Sequence, residues 1–359
     1  MVELSRTVKY FGPQWFAPVM GIAALTLCLK LSSSFLGLSW LASMATVSAF
    51  LTAGLTVLFS IPWILRFYFY REAVSDDFSH PIRSQFFPTM PISLILVGVI
   101  LQRVSTGLSE SMTGSLSLGL FLVGSTGILV FGALLAKILF TNTNIETKHG
   151  VFAWFIPPVS HIIIPVLGFL LLTNGLSGLM AEIVYITSLA GLGIGTFMFL
   201  FLTPVILHRY AYEDLPDIKL APTFLIGIAP TSILIINIEY LIKTVHSGYI
   251  EMSQGVINLL QLLIAAMWGF SAWWLALTLL IIIHYIRKHN NSFQFTWWAY
   301  TFPLGAFTIA TGITSKIYQL TTLQNTTILL TAALFTIIVI NSYNTVKMMI
   351  KGEAFQPEE

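Results

Sequence analysis

Ten long apolar stretches, separated by short polar breaks, make up most of the chain. Each is about as long as a membrane-spanning helix, which needs about 20 mostly apolar residues. The stretches cover residues 14–31, 38–65, 84–102, 115–140, 151–173, 180–207, 220–242, 254–285, 295–316 and 324–349. Breaks such as Ser32-Ser33-Ser34 carry turn-forming residues. Because the apolar runs are continuous, they predict helices and exclude the alternating strands of a transmembrane β-barrel.

The composition agrees with a membrane protein. Charged residues make up 9% of the 359 residues, against roughly 25% in a typical soluble domain. This scarcity excludes a cytosolic enzyme, a nucleic-acid binder and a disordered scaffold. We therefore predict an all-α polytopic membrane protein with one transmembrane domain, residues 1–359. The one cysteine, Cys28, excludes a disulfide framework and a cysteine-based metal cluster, so we expect no metal and no cofactor.

The basic residues indicate the orientation. If the ten spans alternate in direction, 13 of the 17 lysines and arginines fall on the side that holds both termini. The other four are Lys30, Arg103, Lys243 and Lys316. Because cytoplasmic loops are enriched in lysine and arginine, we predict cytoplasmic termini and a location in the plasma (inner) membrane. The first span lacks a small-residue cleavage site, so we expect it to be retained.

Prolines are concentrated in the odd-numbered spans. Those spans hold Pro18, Pro88, Pro91, Pro157, Pro158, Pro165, Pro222, Pro230 and Pro303, whereas the even-numbered spans hold Pro62 and Pro204. Proline removes a backbone donor and bends a helix, so we predict that the odd spans are bent and share one structural role. The alternative is that proline is simply common in membrane helices.

The leading prolines recur at a nearly constant interval. Pro18, Pro88, Pro157, Pro222 and Pro303 are separated by 70, 69, 65 and 81 residues. A fixed period indicates one repeated unit, here a two-helix hairpin used five times in parallel. Five such hairpins can close into a ring. The bent odd helices would then face the axis and the long even helices the lipid.

Small side chains form one narrow face on the first span and another on the ninth. The two sets are Ala17, Gly21, Ala24 and Cys28, and Thr301, Gly305, Thr308 and Gly312. Such a face is typical either of a pore wall or of a tight contact between two helices. The sequence leaves both interpretations open.

Three short segments resemble one membrane transport family. They are Phe16-Ala17-Pro18-Val19-Met20-Gly21, His80-Pro81-Ile82-Arg83 and Trp297-Trp298-Ala299-Tyr300-Thr301-Phe302-Pro303. The chain resembles the tellurite-resistance/dicarboxylate transporter family over nearly its whole length. That family includes bacterial tellurite-resistance proteins, fungal malate permeases, sulfite pumps and the slow anion channels of plant guard cells.

The resemblance implies a quasi-fivefold ring of hairpins, a central pore in each protomer and a homotrimer. It also implies that Phe302 plugs the pore near the middle of the membrane and acts as its gate. The alternative for Phe302 is an ordinary packed aromatic, one of 27 phenylalanines.

Further candidate site residues lie in the odd spans and at their cytoplasmic ends. The predicted pore-lining residues are Phe16, Ala17, Gly21, Phe87, Pro88, Pro157, His161, Pro222, Pro303 and Gly305. His161, the deepest titratable group, could sense pH, relay a proton or bind an anion, or could be a neutral histidine bonded to a carbonyl. Arg83 and Arg209 are predicted at the cytoplasmic mouth, or they reflect only the positive-inside bias.

The central parts of the odd spans hold almost no fixed charge. A tight oxyanion site recruits arginine or lysine, so we predict a weakly selective channel for small anions. The alternative is a proton-coupled carrier of a C4-dicarboxylate such as malate, of sulfite or of a tellurite-type anion. The acidic pairs Asp76-Asp77 and Glu213-Asp214 lack the further partners that a catalytic magnesium site needs, which disfavours an enzyme. The expected partners are small anions and the lipid bilayer, not nucleic acid.

Overall fold

The computed structural model describes residues 2–288 and 293–356, and all regular secondary structure within those ranges is helical. The α-helices are α1 (Val2–Tyr10), α2 (Ala17–Leu36), α3 (Ser39–Phe69), α4 (Arg71–Ser79), α5 (Thr89–Arg103), α6 (Glu110–Thr141), α7 (Ile156–Thr173), α8 (Gly178–Tyr212), α9 (Ala229–His246), α10 (Gln254–Lys288), α11 (Thr301–Tyr318) and α12 (Thr321–Ile350). The ten predicted spans correspond to α2, α3 and α5 to α12.

Within the described residues, nine helical segments are long and apolar enough to cross a membrane. They contain all the predicted spans except the ninth, α11, whose apolar character is diluted by threonine, serine and Lys316. The threonine hydroxyls are satisfied within the helix: Thr308 donates to the Leu304 carbonyl at 2.7 Å and Thr311 to the Phe307 carbonyl at 2.8 Å. The chain is thus a multi-pass membrane protein.

The spanning helices fall into two sets by burial. In α2, α5, α7 and α9, between 61% and 100% of the most apolar stretch is buried, against 17% to 33% in α3, α6, α8, α10 and α12. Thirteen of the 18 residues of α11 are buried as well. We call α2, α5, α7, α9 and α11 the buried helices and the other five the exposed helices. The odd spans are therefore the buried ones.

Helix contacts follow the order of the chain. Each exposed helix packs against the buried helix that precedes it, giving the pairs α2–α3, α5–α6, α7–α8, α9–α10 and α11–α12. The buried helices contact one another in the sequence α2–α5–α7–α9–α11, and α11 contacts α2 again. Both termini lie on one side, because Arg6 Nε donates to the Phe355 carbonyl at 3.0 Å. We call this the terminal side.

A 3-10 helical segment precedes every buried helix. The five segments are Pro13–Phe16, Arg83–Phe86, Phe152–Phe155, Ile218–Ile228 and Phe295–Tyr300. Each changes to α-helix within a few residues of a proline. A proline in the first turn costs no hydrogen bond, because the first backbone N–H groups of a helix have no partner within it.

This placement corrects two expectations drawn from the prolines. Pro18, Pro157 and Pro230 occupy the first turn of their helices, so they do not remove an interior hydrogen bond. Pro165, by contrast, lies inside α7, where a proline does remove one. Pro230, not Pro222, occupies this position in α9; Pro222 lies inside the preceding 3-10 segment. With Pro230 the interval becomes 70, 69, 73 and 73 residues, which is more regular than the sequence suggested.

The two small-residue faces pack against each other. A Cβ atom added at Gly21 of α2 would overlap the side chain of Thr301 of α11, and one added at Gly305 would overlap Ala24. The Cys28 thiol donates to the Gly305 carbonyl, with 3.5 Å between Sγ and the oxygen. The structure supports a tight α2–α11 contact at Gly21, Gly305 and Cys28, whereas Ala17 and Ala24 of the same α2 face also line cavities.

We expect Gly21→Val to destabilise this contact by about 1–3 kcal/mol, the usual cost of overpacking a core. Gly54→Val is the matched control, because Gly54 lies mid-helix in α3 with open space around it. Thermal unfolding of the purified protein in detergent should show a lower midpoint for Gly21→Val alone. Equal unfolding midpoints for the two variants would contradict a tight contact between α2 and α11 at Gly21.

Candidate functional site

Two cavities lie between the buried helices. The terminal-side cavity has a volume of about 160 Å³ and the opposite-side cavity about 330 Å³. All five buried helices line both. Along α2 the lining residues change from Met20 to Ala24, and along α7 from Val159 to Ile163. Four residues of α-helix rise about 6 Å, so roughly one helical turn separates the cavities.

Phe302 lies between the two cavities. It is the one residue among those described that lines both. It lies in the first turn of α11, two residues after the 3-10 segment Phe295–Tyr300 ends, and is 8% exposed. Ala299 and Pro303 line the terminal-side cavity with it, whereas Ala306 and Ile309 line the opposite-side cavity. Phe302 thus lies at the boundary between the two cavities.

Arg83 is the one charged residue that lines the terminal-side cavity within the described part of the chain. Its Nη1 lies 3.2 Å from Asp77 Oδ1, and the other oxygen of that carboxylate lies 2.6 Å from Arg66 Nη1. Arg66 and Asp77 are both buried, with side chains 6% exposed. Arg66 also donates to the Lys9 carbonyl at 2.8 Å. Asp77 therefore joins Arg83 to the ends of α1 and α3.

His80 shapes the turn that presents Arg83. Its Nδ1 accepts the backbone N–H groups of Ile82 and Arg83, both at 3.1 Å. Burial lowers the pKa of His80, and the neighbouring Arg83 lowers it further. The imidazole is therefore neutral at pH 7, the form in which Nδ1 can accept both bonds.

The other predicted site residues lie at different places. Ala17 and Pro303 line the terminal-side cavity with Phe302 and Arg83. The predicted lining residues that line neither cavity are Phe16, Gly21, Phe87, Pro88, Pro157, His161, Pro222 and Gly305. Gly21 and Gly305 belong to the α2–α11 contact. Phe87 stacks on Phe78 with 3.7 Å between ring centroids.

His161 and Arg209 are both buried away from the cavities. The His161 ring lies against Gly132 of α6, and its Nδ1 lies 2.8 Å from the Pro157 carbonyl. Arg209 is 4% exposed, with its guanidinium 4.7 Å from the centre of the Tyr210 ring. Its Nε and Nη1 have no hydrogen-bond partner among the described residues. Arg209 is thus a packed residue near the end of α8.

The opposite-side cavity contains charges that the sequence did not assign to a site. Lys30, Arg103, Lys243 and Lys316 all line it, together with Glu239. The alternation of the spans had separated these four cations from the other 13 in the chain. The sequence did not show that four different helices bring them to one cavity.

Among the described residues, ten long helices pack as consecutive pairs with two cavities between the buried helices, an arrangement typical of multi-pass membrane proteins. A family model for voltage-dependent anion channels matches residues 10–346, and the chain belongs to that family. This is a family of anion channels and transporters, not of enzymes. The match confirms the resemblance drawn from the sequence.

Two archaeal relatives cover almost the whole chain. Both are described as uncharacterized transporters of Methanocaldococcus jannaschii. One is 27% identical over 351 residues, which is 97% of this chain and 96% of the relative. The other is 25% identical over 350 residues, which is 97% of this chain and 98% of the relative. The similarity thus extends over all the helices, not over one segment.

Proposed function

We propose that the protein passes small anions along a path from one cavity to the other, with Phe302 as the gate. In this proposal the five hairpins form a quasi-fivefold ring, with the buried helices around the path and the exposed helices outside. The closed order of contacts among α2, α5, α7, α9 and α11 supports the ring. The single observation that carries the gate is that Phe302 lines both cavities.

The chemistry of the path favours loose binding. Between the charged mouths the lining consists mainly of hydrocarbon, including Met20, Val159 and Ile233. An aromatic ring in such a narrow apolar passage blocks ions sterically and by excluding water. When the ring moves aside, an anion that crosses this hydrocarbon-lined stretch meets no fixed positive charge there that would trap it. Conduction needs such weak binding, because a tightly held ion leaves slowly.

We further propose that the terminal side is cytoplasmic and that the protein lies in the plasma membrane as a homotrimer. The excess of lysine and arginine on the terminal side supports the orientation. The trimer, with one path in each protomer, rests on the family resemblance. Large apolar side chains on the exposed helices, such as Val47, Phe50 and Phe197, suit contact with lipid or with a neighbouring protomer.

A proton-coupled carrier of a dicarboxylate, of sulfite or of a tellurite-type anion is the second candidate. The presence of two distinct cavities with Phe302 at their boundary favours it, because a carrier must close one side while the other is open. The description of both relatives as transporters favours it as well.

Electrical recording from purified protein in planar bilayers tests the proposal. We expect an anion-selective current whose reversal potential follows the imposed gradient of chloride, nitrate, sulfite or malate. A carrier would instead give saturating fluxes that depend on the proton gradient. Absence of anion flux by either route, with correctly inserted protein, would overturn the proposed function.

A further inference from the structure

All four basic residues on the opposite side line one cavity. Lys30 comes from α2, Arg103 from α5, Lys243 from α9 and Lys316 from α11. The positive-inside bias reduces the number of lysines and arginines on the non-cytoplasmic side. It does not explain why those that remain converge from four helices. A cation near a helix C-terminus interacts favourably with the helix dipole, but that effect does not require the cations to share a cavity.

Most of this positive charge is not neutralised. Glu239 is the one carboxylate that lines the cavity within the described residues, and it pairs with Lys243 at 2.8 Å. Lys30, Arg103 and Lys316 have no ion-pair partner in the same part of the chain. The cavity therefore carries an excess of three positive charges.

Aromatic faces hold some of these cations without neutralising them. The Arg103 guanidinium lies 5.9 Å from the centre of the Tyr240 ring, and Lys243 Nζ lies 5.4 Å from the same ring. Lys316 Nζ lies 5.1 Å from the Phe35 ring. Cation–π contacts place a cation and leave its charge available to a ligand.

We propose that the opposite-side cavity is a binding vestibule for small dianions. In this vestibule the Glu239 carboxylate competes with the dianion for the cations, because it already pairs with Lys243. This inference rests on the proposed anion path and adds the charge class of its preferred ligand. The apolar floor of the cavity, including Ile163, Ile233 and Ile309, offers no hydrogen bonds. A dianion is therefore held at the charged rim, above Phe302, and released from there.

The dependence on ligand charge distinguishes this site from a merely structural cluster. Coulomb energy scales with the product of the charges, so the loss of one cation affects a dianion twice as strongly, in free energy, as a monoanion. In a water-filled cavity, with ~6 Å between the cation and the anion, neutralising one cation weakens the binding of a monoanion roughly threefold and that of a dianion roughly tenfold. Removal of the Glu239 charge should instead strengthen anion binding, because it frees Lys243 and removes a repulsive charge.

Calorimetric titration of sulfate and nitrate tests the vestibule, with the full-length protein in lipid nanodiscs at fixed ionic strength. We expect Arg103→Gln and Lys316→Gln each to weaken sulfate binding roughly tenfold and nitrate binding roughly threefold. Glu239→Gln should strengthen sulfate binding by several-fold. The matched controls are Lys148→Gln, an exposed lysine of the terminal side, and Glu182→Gln, an exposed carboxylate near the start of α8 that lines neither cavity.

Three results would overturn the vestibule: no sulfate binding by the unsubstituted protein, equal effects on sulfate and nitrate, or equal effects in the controls. Anion flux through the same proteins in liposomes separates this inference from the proposed function. Flux with charge-independent sulfate binding rejects the vestibule and keeps the path. Charge-dependent binding without flux rejects the path and keeps the vestibule.

Discussion

Replacing Phe302 with alanine is expected to raise anion flux through the purified protein roughly tenfold or more. The substitution removes the one described side chain that lines both cavities. About one helical turn separates the cavities, so loss of the ring joins them into a continuous passage. Fluorescence-monitored chloride or nitrate flux in liposomes, at equal amounts of inserted protein, measures the change.

Phe307→Ala is the matched control for this substitution. Phe307 lies in the same helix and is 3% exposed, but it lines neither cavity. Its ring packs near Trp268 of α10, with 6.4 Å between centroids. We expect no rise in flux for this variant, although its stability should fall. An equal rise in both variants would mean that a loosened core, not an opened gate, passes the anions.

Asp77→Asn is expected to reduce the stability of the protein by about 3–5 kcal/mol, the usual cost of removing one partner of a buried ion pair. The amide has nearly the same shape as the carboxylate but no charge. The change removes the ion pairs with Arg66 and Arg83, and the Arg66 guanidinium is then buried without a counter-charge. Such an uncompensated buried charge is costly, because neither water nor a carboxylate replaces the lost interaction.

Thermal unfolding in detergent checks this expectation. Glu146→Gln is the control: Glu146 pairs with Lys148 at 2.8 Å, but both side chains are exposed, 62% and 58% respectively. An exposed pair contributes little, so its loss should leave the midpoint nearly unchanged. Similar midpoints for Asp77→Asn and Glu146→Gln would show that Asp77 does not hold α3 and the Arg83 turn together.

Much of the fold follows from one-dimensional patterns. The ten apolar runs predicted the spanning helices, because helix length and bilayer thickness constrain each other. The excess of proline in the odd spans identified the buried helices before any contact was known. The period of the repeat was predicted less exactly, because either Pro222 or Pro230 could mark the start of the fourth hairpin. Only the 3-10 segment Ile218–Ile228, which contains Pro222, distinguishes them.

The candidate site was predicted less completely. Phe302 came from a family resemblance carried by the segment Trp297–Pro303, since composition and spacing alone do not separate it from other phenylalanines. Arg209 and Arg83 both follow the positive-inside bias, but only Arg83 lines a cavity. The four cations of the opposite-side cavity are up to 286 positions apart in sequence, as Lys30 and Lys316 are. Their convergence depends on how four helices pack, which no local pattern encodes.

Accessibility to a thiol reagent tests most directly the proposal that Phe302 separates two chambers of one path. Cys28, the one natural cysteine, is fully buried and can be replaced by alanine to give a cysteine-free background. Ala299→Cys then reports on the terminal-side cavity and Ile309→Cys on the opposite-side cavity.

A small charged thiol reagent is applied to one face at a time of sealed vesicles with known protein orientation. We predict that Ala299→Cys reacts only from the terminal side and Ile309→Cys only from the opposite side while Phe302 is present. With Phe302→Ala added, each cysteine should react from both sides. Reaction from both sides with Phe302 in place, or unchanged sidedness after its removal, would contradict the account.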